Sequence, residues 1–256
     1  MGDRTFRGGV HPAERKELSC EMPLVPCVPK GDLVFLMNQH IGKPAVPIVQ
    51  KGEHVLAGQR IAEADGFVSA HIVSSVSGTV KAIEPRPTAA GTLAQAVVIT
   101  PDAENVLAEG IGEKTHYLEL TNQEILERIK AAGIVGMGGA GFPTHVKLTV
   151  KEPNKIRYII ANGAECEPYI TCDDQLMRSC AREIVEGMDI ILRLFPQAKG
   201  VVCIENNKPA AIAAMKAACT DHDRISVMPM KTKYPQGGER ALISVVAGRH
   251  LKLGML

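Results

Sequence analysis

The chain has 256 residues, 45% hydrophobic and 22% charged, with 29 Lys and Arg against 28 Asp and Glu. Near-zero net charge, the absence of Trp and only 4% aromatic residues exclude the basic, base-stacking surface of a nucleic-acid binder. No apolar signal-peptide stretch opens the chain, no run approaches the ~20 apolar residues of a membrane span, and the seven cysteines contain no C-x-x-C, so a reduced, cytoplasmic protein without zinc, cluster motif or disulfide framework is expected.

Up to about Asp102 the chain reads as β structure. Residues 46–49, 54–56, 60–63, 66–68, 78–83 and 95–100 are short apolar or alternating runs, punctuated by Gly, Pro, Asp and Ser at the spacing of a small sandwich or barrel. Val49, Gly52, Val55, Gly58, Gln59 and Ile61, followed by Ser75-Val76-Ser77-Gly78-Thr79-Val80, resemble the biotinyl/lipoyl-type β sandwich. In that family a lysine on an exposed hairpin carries the prosthetic group. The corresponding turn, residues 64–69, has no lysine, so this half reads as a scaffold.

From about Leu118 helix and strand alternate. Thr121-Asn122-Gln123-Glu124 is a capping box, with Leu120 and Ile125 placed as a hydrophobic staple. Ile125, Leu126 and Ile129 form a stripe that Gly133 ends. Next comes the segment from Gly136 to Lys147. Gly136, Gly138, Gly139 and Gly141 allow a sharp turn whose amides can form a nest for phosphate oxygens, with Lys147 as an added charge. The letters satisfy G-x-G-x-x-G, but a helix precedes them where the Rossmann fingerprint needs a strand. Taken alone, the pattern is equally consistent with a glycine-rich connector.

Residues 158–161 read as a buried strand. Asp173 or Asp174 is placed to cap one long helix with core face Leu176, Met177, Cys180, Ile184, Met188, Ile191 and Phe195. Residues 200–204 form the next strand, and Asn207-Lys208-Pro209 a cap and first-turn proline for the Ala-rich helix to Cys219. Residues 225–228 form a third strand, and a last helix runs from 239 to 246 and stops at Gly248. This alternation implies a parallel, helix-covered sheet, which binds ligands beyond the carboxyl ends of its strands. Three polar loops lie there: 162–168, 205–208 and 231–239. The last opens on a helix N-terminus, where amides and dipole favour an anion.

Three stretches carry a more specific likeness: Gly138-Gly139-Ala140-Gly141-Phe142-Pro143-Thr144 with Lys147, Asn162-Gly163-Ala164-Glu165-Cys166-Glu167-Pro168-Tyr169, and Lys233-Tyr234-Pro235-Gln236-Gly237-Gly238-Glu239. In this order they resemble the RnfC family of the Rnf electron-transport complex and, more distantly, the flavin-carrying subunit of respiratory NADH dehydrogenase. The resemblance implies an α/β chain in two parts: a barrel-sandwich hybrid over residues 1–115 and a Rossmann-like parallel α/β domain over 116–256. It implies FMN and NAD(H) as cofactors. Gly136, Gly138, Gly139 and Gly141 would let the backbone approach the flavin, with Lys147 on its phosphate or ring edge. Asn162 and Glu165 would hydrogen-bond the isoalloxazine or ribityl chain. Phe142, Glu167, Tyr234 and Glu239 would line the nicotinamide side, with Gly237 and Gly238 giving close approach at the helix start. Gly238 stands where the respiratory subunit usually has a second Glu. No protein acid or base is required and no metal is expected, because the flavin carries the hydride chemistry.

The resemblance further implies an ion-translocating ferredoxin:NAD+ oxidoreductase subunit, peripheral on the inner face of the cell membrane. Its partners would be the other membrane and iron–sulfur Rnf subunits. Family members continue into a ferredoxin-like domain with [4Fe-4S] ligands. These 256 residues hold no such set, so the sequence reads as cut short within its α/β domain. Two alternatives stand: a soluble NADH-dependent flavoprotein of the same family feeding proline reductase or a cobalamin enzyme, and a flavin-free binding or assembly module.

Overall fold

A ten-residue strand, Gly78–Pro87, folds back on Leu93–Pro101 to make the longest strand pairing among the described residues. Alternation drives it: Val80, Val97 and Ile99 are fully buried, and Thr79 and Lys81 face out. The computed structural model describes residues 4–137 and 141–248. By packing they divide into two compact units, one of residues 27–151 and one of residues 4–26 with 152–248.

The first unit holds strands β1 (Leu33–Leu36), β2 (Val46–Pro47), β3 (His54–Val55), β4 (Arg60–Glu63), β5 (Ile72–Val73), β6 (Gly78–Pro87) and β7 (Leu93–Pro101). They form two antiparallel sheets, in the orders β1-β7-β6-β3 and β2-β4-β5. Phe35, Met37, Val55, Ile61, Val80, Val97 and Ile99 share one core. This is the barrel-sandwich architecture expected from the sequence.

Residues 66–68, expected as a strand, are instead bent chain in the connection between β4 and β5. Gly66 sits at φ 110° and Phe67 is 70% exposed; apolar content suggested a strand that the backbone does not make. The turn is held by Ser69, whose hydroxyl accepts from Asp65 N (3.1 Å) and donates to Lys43 O (2.8 Å).

Helices α1 (Asn122–Ala131) and α2 (Thr144–Leu148) belong to the same unit. The capping box is complete: Glu124 N donates to Thr121 Oγ1 (3.3 Å) and Thr121 N to Glu124 Oε2 (2.7 Å). Ile125 is buried under it.

The second unit carries a parallel sheet of β8 (Tyr158–Gly163), β9 (Lys199–Glu205) and β10 (Ile225–Met230), in the order β10-β9-β8. Central β9 is buried from Gly200 to Glu205, as a strand covered on both faces must be. Tyr158, on β8 at the end of that order, is 40% exposed. Around the sheet lie α3 (Cys172–Ser179), α4 (Ala181–Arg193), α5 (Pro209–Ala218) and α6 (Glu239–Ala247).

The single long helix expected after Asp173 is two helices, broken at Cys180, whose φ of −126° is not helical. The break lets each half bury its own stripe: Met177 on α3, and Val185, Met188 and Leu192 on α4, while Leu176 is 42% exposed. Neither Asp173 nor Asp174 is the cap; both lie inside α3 and their amides are capped from elsewhere. Lys208, and not Asn207, occupies the position before α5, with Pro209 opening the helix as expected. Gly248 closes α6 at φ 63°.

Candidate functional site

Three loops leave the carboxyl ends of β8, β9 and β10, and a few bonds gather them. Asn162, at the end of β8, is exposed; its Nδ2 donates to Gly237 O (2.9 Å) and its Oδ1 accepts from Ala164 N (3.3 Å). Gly237 N in turn donates to Cys166 Sγ (3.4 Å), so the first and third loops are tied twice. A Cβ on Gly237 would lie 3.3 Å from Asn162 Oδ1. A side chain at this position would press on the Asn162 carboxamide.

The second loop is anchored by charge. Glu205 is buried at the end of β9, where Oε1 accepts from Lys233 N (2.9 Å). Lys208 is also buried, and its Nζ donates to Ala164 O (2.8 Å), Glu165 O (3.3 Å) and Asn207 Oδ1 (3.0 Å). One ammonium therefore joins the second loop to the first.

Glu165 turns its side chain inward, with only 5% of the residue exposed and φ at 48°. Its carboxylate accepts from Asp173 N (2.6 Å) and Asp174 N (3.3 Å), capping α3 across eight and nine residues. Burial pushes its pKa up; the Asp173 amide and the Lys208 and Lys16 ammoniums pull the other way. Cys172 and Asp173 stand beside it, with one ligand atom of each residue within 4.8 Å of the others. Burial and neighbouring carboxylates push the Cys172 thiol and the Asp173 carboxyl up as well.

The third loop ends at α6. Gly238 holds the capping position, and among the described residues no side chain caps this terminus. Glu239, the first helical residue, is exposed, as are Tyr234 and Glu167.

The glycine-rich segment lies in the other unit and is closed at its neck by Gly136 N donating to Phe142 O (3.0 Å) and Thr144 N to Ile134 O (3.0 Å). Gly141 sits at φ 59°, and a Cβ there would meet Gln39 O at 3.0 Å. Phe142 is half-buried and Lys147 exposed. Gly138 and Gly139 lie outside the described residues.

Two family models match the chain: the RnfC barrel sandwich hybrid domain over residues 4–104 and the Nuo51 FMN-binding domain over residues 129–256. Over 254 residues the chain is 44% identical to the RnfC-type component of the proton-translocating ferredoxin:NAD(+) oxidoreductase complex of Clostridium ljungdahlii, covering 99% of this chain and 55% of that protein. It is 41% identical over 252 residues to the matching component of the Na(+)-translocating ferredoxin:NAD(+) oxidoreductase complex of Acetobacterium woodii, covering 98% and 57%. The chain belongs to the RnfC family. A third member, from the ion-translocating oxidoreductase complex of Pseudomonas aeruginosa, is 43% identical over 249 residues, 96% of this chain and 32% of that protein. The chain thus spans little more than half the length of the first two relatives and a third of the last.

Both halves of this RnfC chain match the architecture expected from its sequence, and no helix among the described residues is long and apolar enough to cross a membrane. The residues expected at the site fall into two groups. Asn162, Glu165, Glu167, Tyr234, Gly237, Gly238 and Glu239 lie on the gathered loops of the α/β unit; Gly136, Gly141, Phe142 and Lys147 lie in the unit of residues 27–151. The sequence places Glu205 and Lys208 in one of the three polar loops but assigns neither a role. Their signal is faint: charged residues at the end of a buried strand and just before an N-terminal proline.

Proposed function

We propose that this chain is the flavin-bearing portion of an ion-translocating ferredoxin:NAD+ oxidoreductase subunit and holds FMN at the carboxyl ends of β8, β9 and β10. The observation that carries this reading is the N-terminus of α6. It is uncapped by any described side chain, preceded by Gly237 and Gly238, and tied to Asn162 at the end of β8. First-turn helix amides without a side-chain cap, the helix dipole and the absence of Cβ atoms at the two glycines suit the terminal phosphate of a nucleotide. The donor set therefore fits FMN. FMN, when bound, supplies hydride exchange with NAD(H) and one-electron transfer onward.

Asn162 presents amide groups at the sheet edge for the flavin's polar rim. Glu165 works from behind, fixing the turn and α3. Exposed Glu167, Tyr234 and Glu239 form the face offered to the nicotinamide nucleotide, and the two loop glycines leave room for it. The family resemblance assigns the turn containing Gly136, Gly138, Gly139, Gly141 and Phe142, together with Lys147, to the flavin as well. As an RnfC protein, it would sit peripherally on the inner face of the cell membrane beside the membrane and iron–sulfur Rnf subunits, passing electrons to [4Fe-4S] clusters in the portion of the family beyond this chain.

Titration of flavin fluorescence tests the reading. FMN is expected to be quenched on binding and riboflavin, which lacks the phosphate, to bind about tenfold or more weakly. Equal affinity for the two, or no quenching with either, would refute the anion site.

A further inference from the structure

Residues 4–20 do not pack in the unit that follows them in sequence. They run along the carboxyl ends of the parallel sheet. Lys231 N donates to Arg4 O (3.2 Å), Thr5 Oγ1 to Gln236 Oε1 (3.0 Å), and Lys233 Nζ to Phe6 O and to Gly8 O (2.7 Å). Val10 exchanges both backbone bonds with Tyr234 (2.8 and 2.9 Å). Tyr169 N donates to Glu14 O (2.8 Å), and Asn207 Nδ2 to Glu14 Oε2 (2.7 Å). Every one of the three loops is bonded to this segment.

Its most concentrated contact is Lys16. The ammonium, with 12% of the side chain exposed, donates to three carbonyls of one loop: Glu165 O (2.9 Å), Glu167 O (3.0 Å) and Ile170 O (2.5 Å). Glu165 Oε2 is 4.0 Å away, so the carbonyls and not the carboxylate are its principal partners. The same loop carries two non-glycine residues at left-handed φ, Glu165 at 48° and Tyr169 at 69°. Such conformations persist only where the surroundings over-determine them. Three carbonyls turned toward one cation supply that determination.

We propose that Lys16 is a positioning residue of the α/β site. Reaching across from the N-terminal segment, it holds the loop of residues 165–170 in its strained shape, so residues 4–20 are a working part of the site and not a leader to the barrel. The proposal rests on the functional reading above for the identity of the ligand, and on geometry alone for the hold on the loop.

The test compares full-length wild type with Lys16→Met and reads two quantities. In amide hydrogen exchange, Tyr169, Asp173 and Asp174 are expected to exchange about tenfold faster in the variant, while Val202 and Ile204 of β9 keep their protection and show the fold intact. In fluorescence titration, FMN affinity is expected to fall by about tenfold. Lys16→Arg, whose planar fork does not reproduce a point charge shared among three carbonyls, is expected to recover only part of either. Unchanged exchange at Tyr169, Asp173 and Asp174 overturns the hold on the loop. Faster exchange with FMN affinity unchanged overturns the positioning role. If wild type binds no FMN, the functional reading and the positioning role fall together, and the exchange data still decide whether Lys16 holds the loop. A variant that also loses protection in β9 is replaced by Lys16→Gln under the same two criteria.

Discussion

Lys208 Nζ lies 3.7 Å from Glu205 Oε2, and the two side chains are 2% and 1% exposed. Burial pushes the lysine down and the glutamate up, each toward its neutral form, while their mutual attraction resists. Removing one member leaves the other charge stranded. Lys208→Met is therefore expected to destabilise the α/β unit by roughly 3–5 kcal/mol, and the double variant Lys208→Met/Glu205→Gln by clearly less than the sum of the singles. Urea unfolding of all four species measures this, and additive losses would show the pair to be energetically independent.

Glu165 makes stability depend on pH in an unusual direction. Its folded pKa is raised above the ordinary 4.5. A raised carboxyl stabilises the fold fully below its unfolded value, and that contribution is lost as pH rises through the folded value. Asp173 is raised in the same way, so the α/β unit should melt at a higher temperature near pH 5 than near neutrality. Glu165→Gln should flatten that slope and cost about 1–2 kcal/mol through the weakened cap on α3. In the other unit Asp102, held down to about 2 by the Ser77 hydroxyl and His54, works with the opposite sign: its contribution is present above 3.8 and lost as pH falls through about 2. Thermal melts across this range, with and without the substitution, compare the two trends.

Gly141 answers to the protein as well as to any ligand. At φ 59°, with Gln39 O only 3.0 Å from where a Cβ would stand, Gly141→Ala is expected to lower the stability of the unit of residues 27–151 by roughly 1–2 kcal/mol. Denaturant midpoints decide it. A variant of wild-type stability would mean that the backbone relaxes there without strain.

Lys147 offers the complementary experiment, because its side chain is exposed. Lys147→Ala is expected to leave the unfolding midpoint unchanged and to weaken FMN by about 1.5–3 kcal/mol, the value of one hydrogen bond to a charged group. Equal affinity at matched ionic strength would take Lys147 out of the site.

What the sequence made legible was local or periodic. The Thr121–Glu124 capping box, the alternation of β6 and β7, the proline opening α5 and the glycine closing α6 each depend on residues a few positions apart. The three carboxyl-end loops followed from strand–helix alternation and a rule of topology. The break at Cys180 escaped, because an apolar stripe runs through it without interruption. The cap on α3 escaped because its acceptor, Glu165, stands eight residues before the amide it receives. Lys16 could not have been found at all, since nothing in the sequence relates it to carbonyls 149 to 154 residues away.

The packing of residues 4–26 with residues 152–248 makes the barrel an insertion in the path of the α/β chain. During synthesis residues 4–26 emerge before the loops they pack on and must wait: Thr5 and its partner Gln236 are separated by 231 positions. The entropy of closing so long a loop grows only slowly with its length, but contacts of such range delay folding. Until the last strand and loop are made, the segment has no partners for its bonds to the three loops. The chain's two ends in this unit are thus coupled: the α/β unit completes its last contacts only when residues 4–16 return to loops made 149 to 231 positions later.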